Sequence, residues 1–205
     1  MVETRKGMLL VISGPSGVGK TTAVTGVRTA NPEMYFSVSA TTRAMRPTDV
    51  EGITYRFKTR EEFLKLVDEG YFYEHAEYSG NLYGTPKTPV EEHLAAGEDV
   101  ILDIEVQGGL QVKAQTPDAI LIFLAAPSWE ELEYRLRSRG DTSEEDIRKR
   151  LEQARWEYTQ AVNYDYIVVS EAPPECVVER INTILAAESF RTERNINLLN
   201  MEESL

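Results

Sequence analysis

Between Gly14 and Thr21 the chain reads GPSGVGKT, which fits G-x-x-x-x-G-K-[ST]. Glycines at this spacing let the backbone curl until its N–H groups converge on phosphate oxygens. A helix starting near Lys20 adds the partial positive charge of its N-terminus. Gly14, Pro15, Ser16, Gly17, Val18 and Gly19 would form the cradle. Lys20 would reach the β- and γ-phosphates, the Thr21 hydroxyl would ligate Mg²⁺, and Thr22 would join them in binding the triphosphate. The pattern points to a nucleoside triphosphate. By itself it leaves kinase, ATPase and GTPase chemistry open.

Three further sets of residues carry chemistry. In SVSATTRAMRP, Ser37 to Pro47, Arg43 and Arg46 stand three residues apart in a Ser/Thr-rich segment, as a second anion would require. Asp103 ends the apolar run VILD, where a carboxylate can hold Mg²⁺ through water, orient an acceptor, or cap a helix. Arg135, Arg139 and Arg150 lie in a polar stretch that also holds Glu130, Glu131, Glu133, Glu144 and Glu145. Pairing with these acids accounts for some of the arginines. An arginine-bearing lid that closes over a transferred phosphoryl group and shuts out water accounts for others.

The rest of the composition limits the function classes. The chain has 205 residues, enough for one domain with a sizeable core. Its net charge of -12 repels nucleic acid and anionic membranes, so neither is expected as a partner. Arg supplies 15 of the 22 basic residues, which favours planar recognition of a local anion. Cys176 is the single cysteine and permits no internal disulfide, in keeping with a cytoplasmic protein. His75 and His93 have no metal-ligand spacing. The N-terminal apolar run MLLVIS is too short for an export signal, and no run approaches a membrane span.

These residues need elements to position them. Five runs rich in Val, Ile and Leu are predicted as buried strands of a parallel sheet: Met8 to Ser13, Phe36 to Val38, Val100 to Ile104, Ile120 to Leu124 and Tyr166 to Val169. Capping boxes predict helix starts at Thr59 to Glu62, Thr88 to Glu91, Ser128 to Glu131 and Ser143 to Asp146, with Pro89 at a first helical position. The alternation predicts an α/β fold. From Tyr35 to Lys87 the Tyr-, Gly- and Thr-rich composition predicts an inserted lobe of short strands with one helix. Arg135 to Arg150 predicts an exposed helical flap.

Taken in order, GPSGVGKTT, FSVSATTRAMRP, EGITYRF, YGTP, ILDIEVQG and RLRSRG make the sequence resemble the guanylate kinases, over about Met8 to Ser170. The resemblance implies a P-loop parallel-sheet core flanked by helices, with an inserted α+β GMP-binding lobe and a helical lid. On this division residues 1–34, 88–134 and 156–205 form the core, 35–87 the lobe and 135–155 the lid of a single domain. It implies phosphoryl transfer from ATP to GMP with Mg²⁺ as cofactor, in purine metabolism.

By position, Ser39, Glu74 and Thr85 would read guanine, and Arg43, Arg46, Tyr55 and Tyr83 would hold the GMP phosphate. Asp103 would lie near both GMP and the metal, Arg135 and Arg150 would reach the transferred phosphate, and Arg139 would lie near the ATP base. Lys20, Arg43, Arg135, Arg150 and Asp103 would thus carry the catalysis. Two positions depart from the family: Ser170 stands where an Asn helps hold adenine, and Glu105 where Asp is common.

Overall fold

A computed structural model of the chain describes residues 6–78, 80–138 and 143–196. The chain opens with β1 (Leu9–Ser13), α1 (Lys20–Ala30) and β2 (Tyr35–Phe36). It then passes through β3 (Ala40–Thr41), β4 (Arg56–Phe57), α2 (Arg60–Asp68), β5 (Phe72–Tyr78) and β6 (Asn81–Pro86). It returns through α3 (Lys87–Ala95), β7 (Val100–Asp103), α4 (Val106–Gln115), β8 (Ile120–Ala125), α5 (Trp129–Ser138) and α6 (Glu144–Gln160). It closes with β9 (Tyr166–Val169), α7 (Pro174–Ser189) and α8 (Thr192–Asn195).

The main sheet is parallel in the order β2-β7-β1-β8-β9, as the five apolar runs predict. Alternate residues of its strands enter two separate cores. Leu10, Ile12, Ile101, Ile122 and Leu124 pack under α1 and α7 with Val24, Val27 and Ile181. Leu9, Val11, Val100, Leu102 and Phe123 pack under α3 and α4 with Val90, Leu94 and Val112. Coverage on both faces explains why the runs are continuously apolar. Each such buried side chain contributes about 1.5–3 kcal/mol. From β1 the chain passes to β2 and β7 on one side of it, and from β7 it crosses to β8 on the other, so a crevice opens at the carboxyl ends of β1 and β8.

The inserted segment forms a second, four-stranded sheet in the order β4-β3-β6-β5, with α2 on one face. Thr59 starts α2 with the complete reciprocal box: its side chain accepts from Glu62 N, and the Glu62 carboxylate accepts from Thr59 N. Phe63 from this helix is fully buried against Phe72, Leu82 and Ala40.

Several expectations are corrected. The second strand is Tyr35–Phe36 rather than Phe36–Val38, because the chain leaves the main sheet once Ser37 N has bonded Ile101 O. Thr88 caps nothing: β6 runs directly into α3 at Lys87, whose N–H is taken by Tyr71 O at 2.9 Å. Pro89 accordingly sits inside the first turn. Ser128 and Ser143 each accept from the backbone N–H three residues on, at 3.1 and 3.2 Å. The Asp146 carboxylate accepts from the Ser143 hydroxyl. The stretch from Arg135 to Arg150 is helical where described, but it is not wholly exposed. Leu136 and Ile147 are buried, and Leu136 belongs to the main core, since α5 continues past Arg135 to Ser138.

Phe63 and Phe72 stack with ring centroids 4.4 Å apart and supply most of the small lobe's core. Phe63→Ala is expected to lower stability by about 3–5 kcal/mol, read from urea unfolding. A variant as stable as the parent would show that the lobe is held by something else.

Candidate active site

The loop after β1 is shaped by three glycines with positive φ. Gly14 has φ 150°, and a Cβ there would collide with Leu124 O on the neighbouring strand. Gly19, at φ 102°, is the left-handed residue that turns the loop into α1. No side chain caps α1, so its first-turn N–H groups carry the helix-terminal potential into the loop. Val18 is fully buried and anchors the loop on the core.

Lys20 folds back over this loop and donates to Gly14 O at 2.5 Å. Its ammonium lies 3.6 Å from Glu105 Oε2. Loss of water works against its charge, but Glu105, Asp103 and Glu157 outweigh that and raise its pKa. Register explains Asp103: it pairs with Ile12, two residues before Gly14. Burial lifts its carboxyl to about 6, with Lys20 opposing and Glu105 assisting. Glu157 on α6 is only 1% exposed. Burial first, and then Glu105, push it to about 7, against Lys20 and a 3.5 Å hydrogen bond from Gln153. Glu105 Oε2 and Glu157 Oε2 are buried without hydrogen-bond partners. Tyr78 from the lobe shares this environment, and its hydroxyl is raised to about 12 by burial and then by Glu105.

Two of the three sequence-predicted flap arginines meet the loop. Arg135 donates to Val18 O at 3.1 Å and to Ser170 O at 3.0 Å, while Glu131 holds its Nε at 2.7 Å. Arg135 thus pairs with an acid, as one reading of the sequence expects, and also bonds the loop at Val18 O. Arg150 reaches Ser16 Oγ at 3.3 Å. Arg139 lies outside the described residues. Beside Gly17, Gly19 and Thr22, a pocket of about 250 Å³ is closed by Arg135, Ser170 and Val177. Thr22 lines its edge, and both Thr21 and Thr22 are exposed.

The lobe brings the second group together. Glu74 is buried on β5, opposite Thr85 on β6. Its Oε1 accepts from Thr85 N at 3.1 Å and from Thr85 Oγ1 at 2.7 Å. Burial raises this carboxyl to about 7 despite those two bonds. Ser39 is buried just before β3, and its carbonyl accepts from Arg56 N. Arg43 lies 5.3 Å from the Tyr55 ring centroid, and Tyr55 meets Tyr83 edge to face at 5.9 Å. Burial and then Asp103 push the Tyr55 hydroxyl to about 12, so this tyrosine faces the acids of the core. Arg46 is exposed. Arg43 and Arg46 thus sit at one mouth of the lobe, with Glu74, Thr85 and Ser39 deeper in.

Sequence reasoning passed over four residues here. Asp49 accepts from Arg43 Nη1 at 2.9 Å and from Arg46 N at 2.7 Å, so one oxygen ties the arginine loop together. The clue was an Asp three residues after Arg46, which is turn chemistry. Glu105 read as a mild departure, yet it is the ion-pair partner of Lys20. Glu157 lies on the buried stripe with Ile147 and Ala154, where an acid is out of place. Tyr78 looked like one more lobe tyrosine.

Among the described residues, no group of three or more His, Cys, Asp or Glu is arranged to hold a metal alone. The donor set instead suits Mg²⁺, which keeps waters and takes few protein oxygens besides substrate phosphates. The exposed Thr21 hydroxyl, the Asp103 carboxylate and the orphaned Glu105 Oε2 are such oxygens.

Comparison with known proteins agrees with this geometry. The family model for guanylate kinase matches residues 6–188. The guanylate kinase of Synechococcus sp. (strain JA-3-3Ab) is 52% identical over 166 residues, 81% of this chain and 76% of that one. That of Streptococcus thermophilus (strain CNRZ 1066) is 48% identical over 194 residues, 94% and 92% of the two chains. The crystal structure of guanylate kinase from Anaplasma phagocytophilum matches with a TM-score of 0.80 at 34% identity, covering 98% of each chain.

The native Glu157 carboxyl keeps its proton up to about 7, whereas in the unfolded chain it ionises near the ordinary glutamate value of 4.5. Its contribution to stability is therefore full below the lower value and lost as pH rises through the upper one. Glu157→Gln is expected to raise stability at pH 7.5 by on the order of 2 kcal/mol, with the gain shrinking toward pH 5. Chemical denaturation at both pH values checks this, and a gap that does not shrink removes ionisation as its source.

Proposed function

The chain belongs to the guanylate kinase family and transfers the γ-phosphoryl group of ATP to GMP; from that premise we propose how its residues divide the work. The loop from Gly14 to Thr22, with Lys20, holds the ATP phosphates. The pocket beside Gly19 and Ser170 takes the adenine. The lobe of residues 35–87 takes GMP, and residues 135–155 act as the lid. Mg²⁺ would be held by Thr21 and, through water, by Asp103. When bound it would neutralise charge on the ATP phosphates.

The buried Glu74 carboxyl is the observation that supports this reading best. Guanine offers N1–H and N2–H₂ on one edge, and a single carboxylate can accept from both. With Thr85 already engaged on Oε1, the pair is held in place before the base arrives. Thr85 and Ser39 supply hydroxyls for the rest of the base. Adenine would set an acceptor against Glu74 and leave a buried charge unpaired, which is heavily penalised. Donors to the carboxylate also favour its ionised form, so GMP would draw the Glu74 pKa down from about 7.

The phosphate of GMP would lie against Arg43, Arg46, Tyr55 and Tyr83. Arg43 would exchange its bond to Asp49 for one to the phosphate, or share both. A phosphate oxygen of GMP attacks the γ-phosphorus in line. The bond from that phosphorus to the β–γ bridging oxygen breaks, and ADP leaves with the electron pair. The attacking oxygen is already anionic, so no general base is required. Lys20, Arg135 and Arg150 neutralise charge on the transferred group and Arg43 holds the acceptor, so positioning carries the rate. The Ser170 hydroxyl lies 3.4 Å from Arg135 Nη1. Donor-base selectivity would therefore rest on the pocket's shape more than on a side-chain amide. A cytoplasmic setting in purine metabolism accords with the unpaired Cys176.

A coupled assay with GMP, AMP, CMP and UMP tests the acceptor. GMP is expected to dominate by several orders of magnitude in kcat/KM, and equal turnover of AMP would sink the guanine assignment. Glu74→Gln is expected to lower kcat/KM for GMP by roughly 100-fold or more, with the KM for ATP within about twofold. An unchanged GMP rate would remove Glu74 from its role.

A further inference from the structure

α4 contains two consecutive glycines, Gly108 and Gly109, in its first turns. Helical glycine is less favourable than alanine by roughly 1 kcal/mol at each position. Space accounts for both, in different ways. A Cβ on Gly109 would meet Tyr164 OH at 2.5 Å and Ser13 Oγ at 3.0 Å, which are parts of the packed core. A Cβ on Gly108 would overlap Glu74 Oε2 and lie 2.9 Å from Glu74 Cδ. The backbone of α4 therefore lies directly against the carboxylate that faces the acceptor base.

α4 cannot retreat to relieve that overlap. β5 is the edge strand of the lobe sheet, and α4 lies along its open edge. Gln111 Nε2 donates to His75 O at 2.9 Å, and Gln111 Oε1 accepts from His75 N at 3.3 Å. Gln115 Nε2 donates to Tyr73 O at 2.8 Å. These bonds bracket Glu74 on both sides and set the distance between helix and strand. The group that yields is the end of the Glu74 side chain, which turns about its own torsions without moving the backbone, against the bonds it accepts from Thr85.

We infer that Gly108 is a specificity-determining residue, a positioning residue that acts through Glu74 by leaving room for its carboxylate in the guanine-reading orientation. A side chain at position 108 would leave the protein folded and push Oε2 away from the N1 and N2 edge. The inference rests on the reading of Glu74 as the guanine-binding acid, and the test separates the two.

The experiment measures kcat and KM for GMP and for inosine 5′-monophosphate, which lacks the 2-amino group, at saturating ATP. It compares the parent with Glu74→Gln, Gly108→Ala and Gly109→Ala, and records the Tm of each. Gly108→Ala is expected to keep a Tm within about 3 °C of the parent. It should raise the KM for GMP by about 10-fold or more, leave the KM for ATP within about twofold, and collapse the GMP-over-inosinate preference toward that of Glu74→Gln. Gly109→Ala is expected to lower the Tm by about 4 °C or more and to retain the preference. In the Glu74→Gln background, Gly108→Ala should cause no further loss of preference. The inference is overturned if Gly108→Ala keeps the parent's preference while Glu74→Gln loses it, or if Gly109→Ala loses it equally. An unfolded Gly108→Ala also overturns it, because the glycine would then serve the fold. If Glu74→Gln itself keeps the preference, the reading of Glu74 fails first.

Discussion

The ammonium of Lys20 sits where Gly14 O, Glu105, Asp103 and Glu157 converge. Such a collection of acids around a phosphate-binding lysine is costly to build. Two of the carboxylate oxygens have no hydrogen-bond partner, and each carboxyl taken out of water resists ionisation. The parallel sheet makes the arrangement possible. Its strands deliver β1 and β7 side by side with Ile12 opposite Asp103, so the loop and the acids emerge from one edge. α6 then crosses the same edge, bringing Arg150 to Ser16 and Glu157 to the lysine. On the proposed reading, a phosphate arriving at Lys20 would replace the acids as its partner and keep the charge compensated before and after binding.

α4 links this centre to the lobe. It starts at Glu105, beside Lys20, passes Glu74 at Gly108, and ends with Gln115 on Tyr73. One helix therefore registers the charges around Lys20 against the buried Glu74 carboxyl. The lobe has its own core around Phe63 and Phe72, and its own ion pair, Arg43 with Asp49. On the proposed reading, that pair would prepare the phosphate end of the lobe as the Glu74–Thr85 pair would prepare the base end.

Legibility in the sequence followed the range of each interaction. The phosphate loop was legible because its pattern lies in eight contiguous residues, although the collision that only glycine avoids at position 14 is with Leu124 O on a distant strand. The capping box at Thr59 was legible for the same reason. Thr88 misled because its spacing mimics a box, while the competing partner of the helix start, Tyr71 O, lies sixteen residues away in sequence. Arg135 and Arg150 stood out by type, but their contacts with Val18, Ser170 and Ser16 cross more than thirty residues. Glu74, Thr85 and Ser39 were identified by resemblance to a family, since a surface acid and a buried one read alike in a short segment.

What the sequence determined by itself was the α/β class, the G-x-x-x-x-G-K-[ST] loop and the existence of a separate lobe. Each rests on contiguous pattern or composition. What only the tertiary structure decided was the electrostatic state of the site and the room within it. Glu105, Glu157 and Asp49 acquire their roles from partners on other elements. Gly108 acquires its role from a carboxylate on a strand thirty-four residues earlier. Desolvation and steric exclusion depend on what the folded chain places around a group, and no local pattern encodes that.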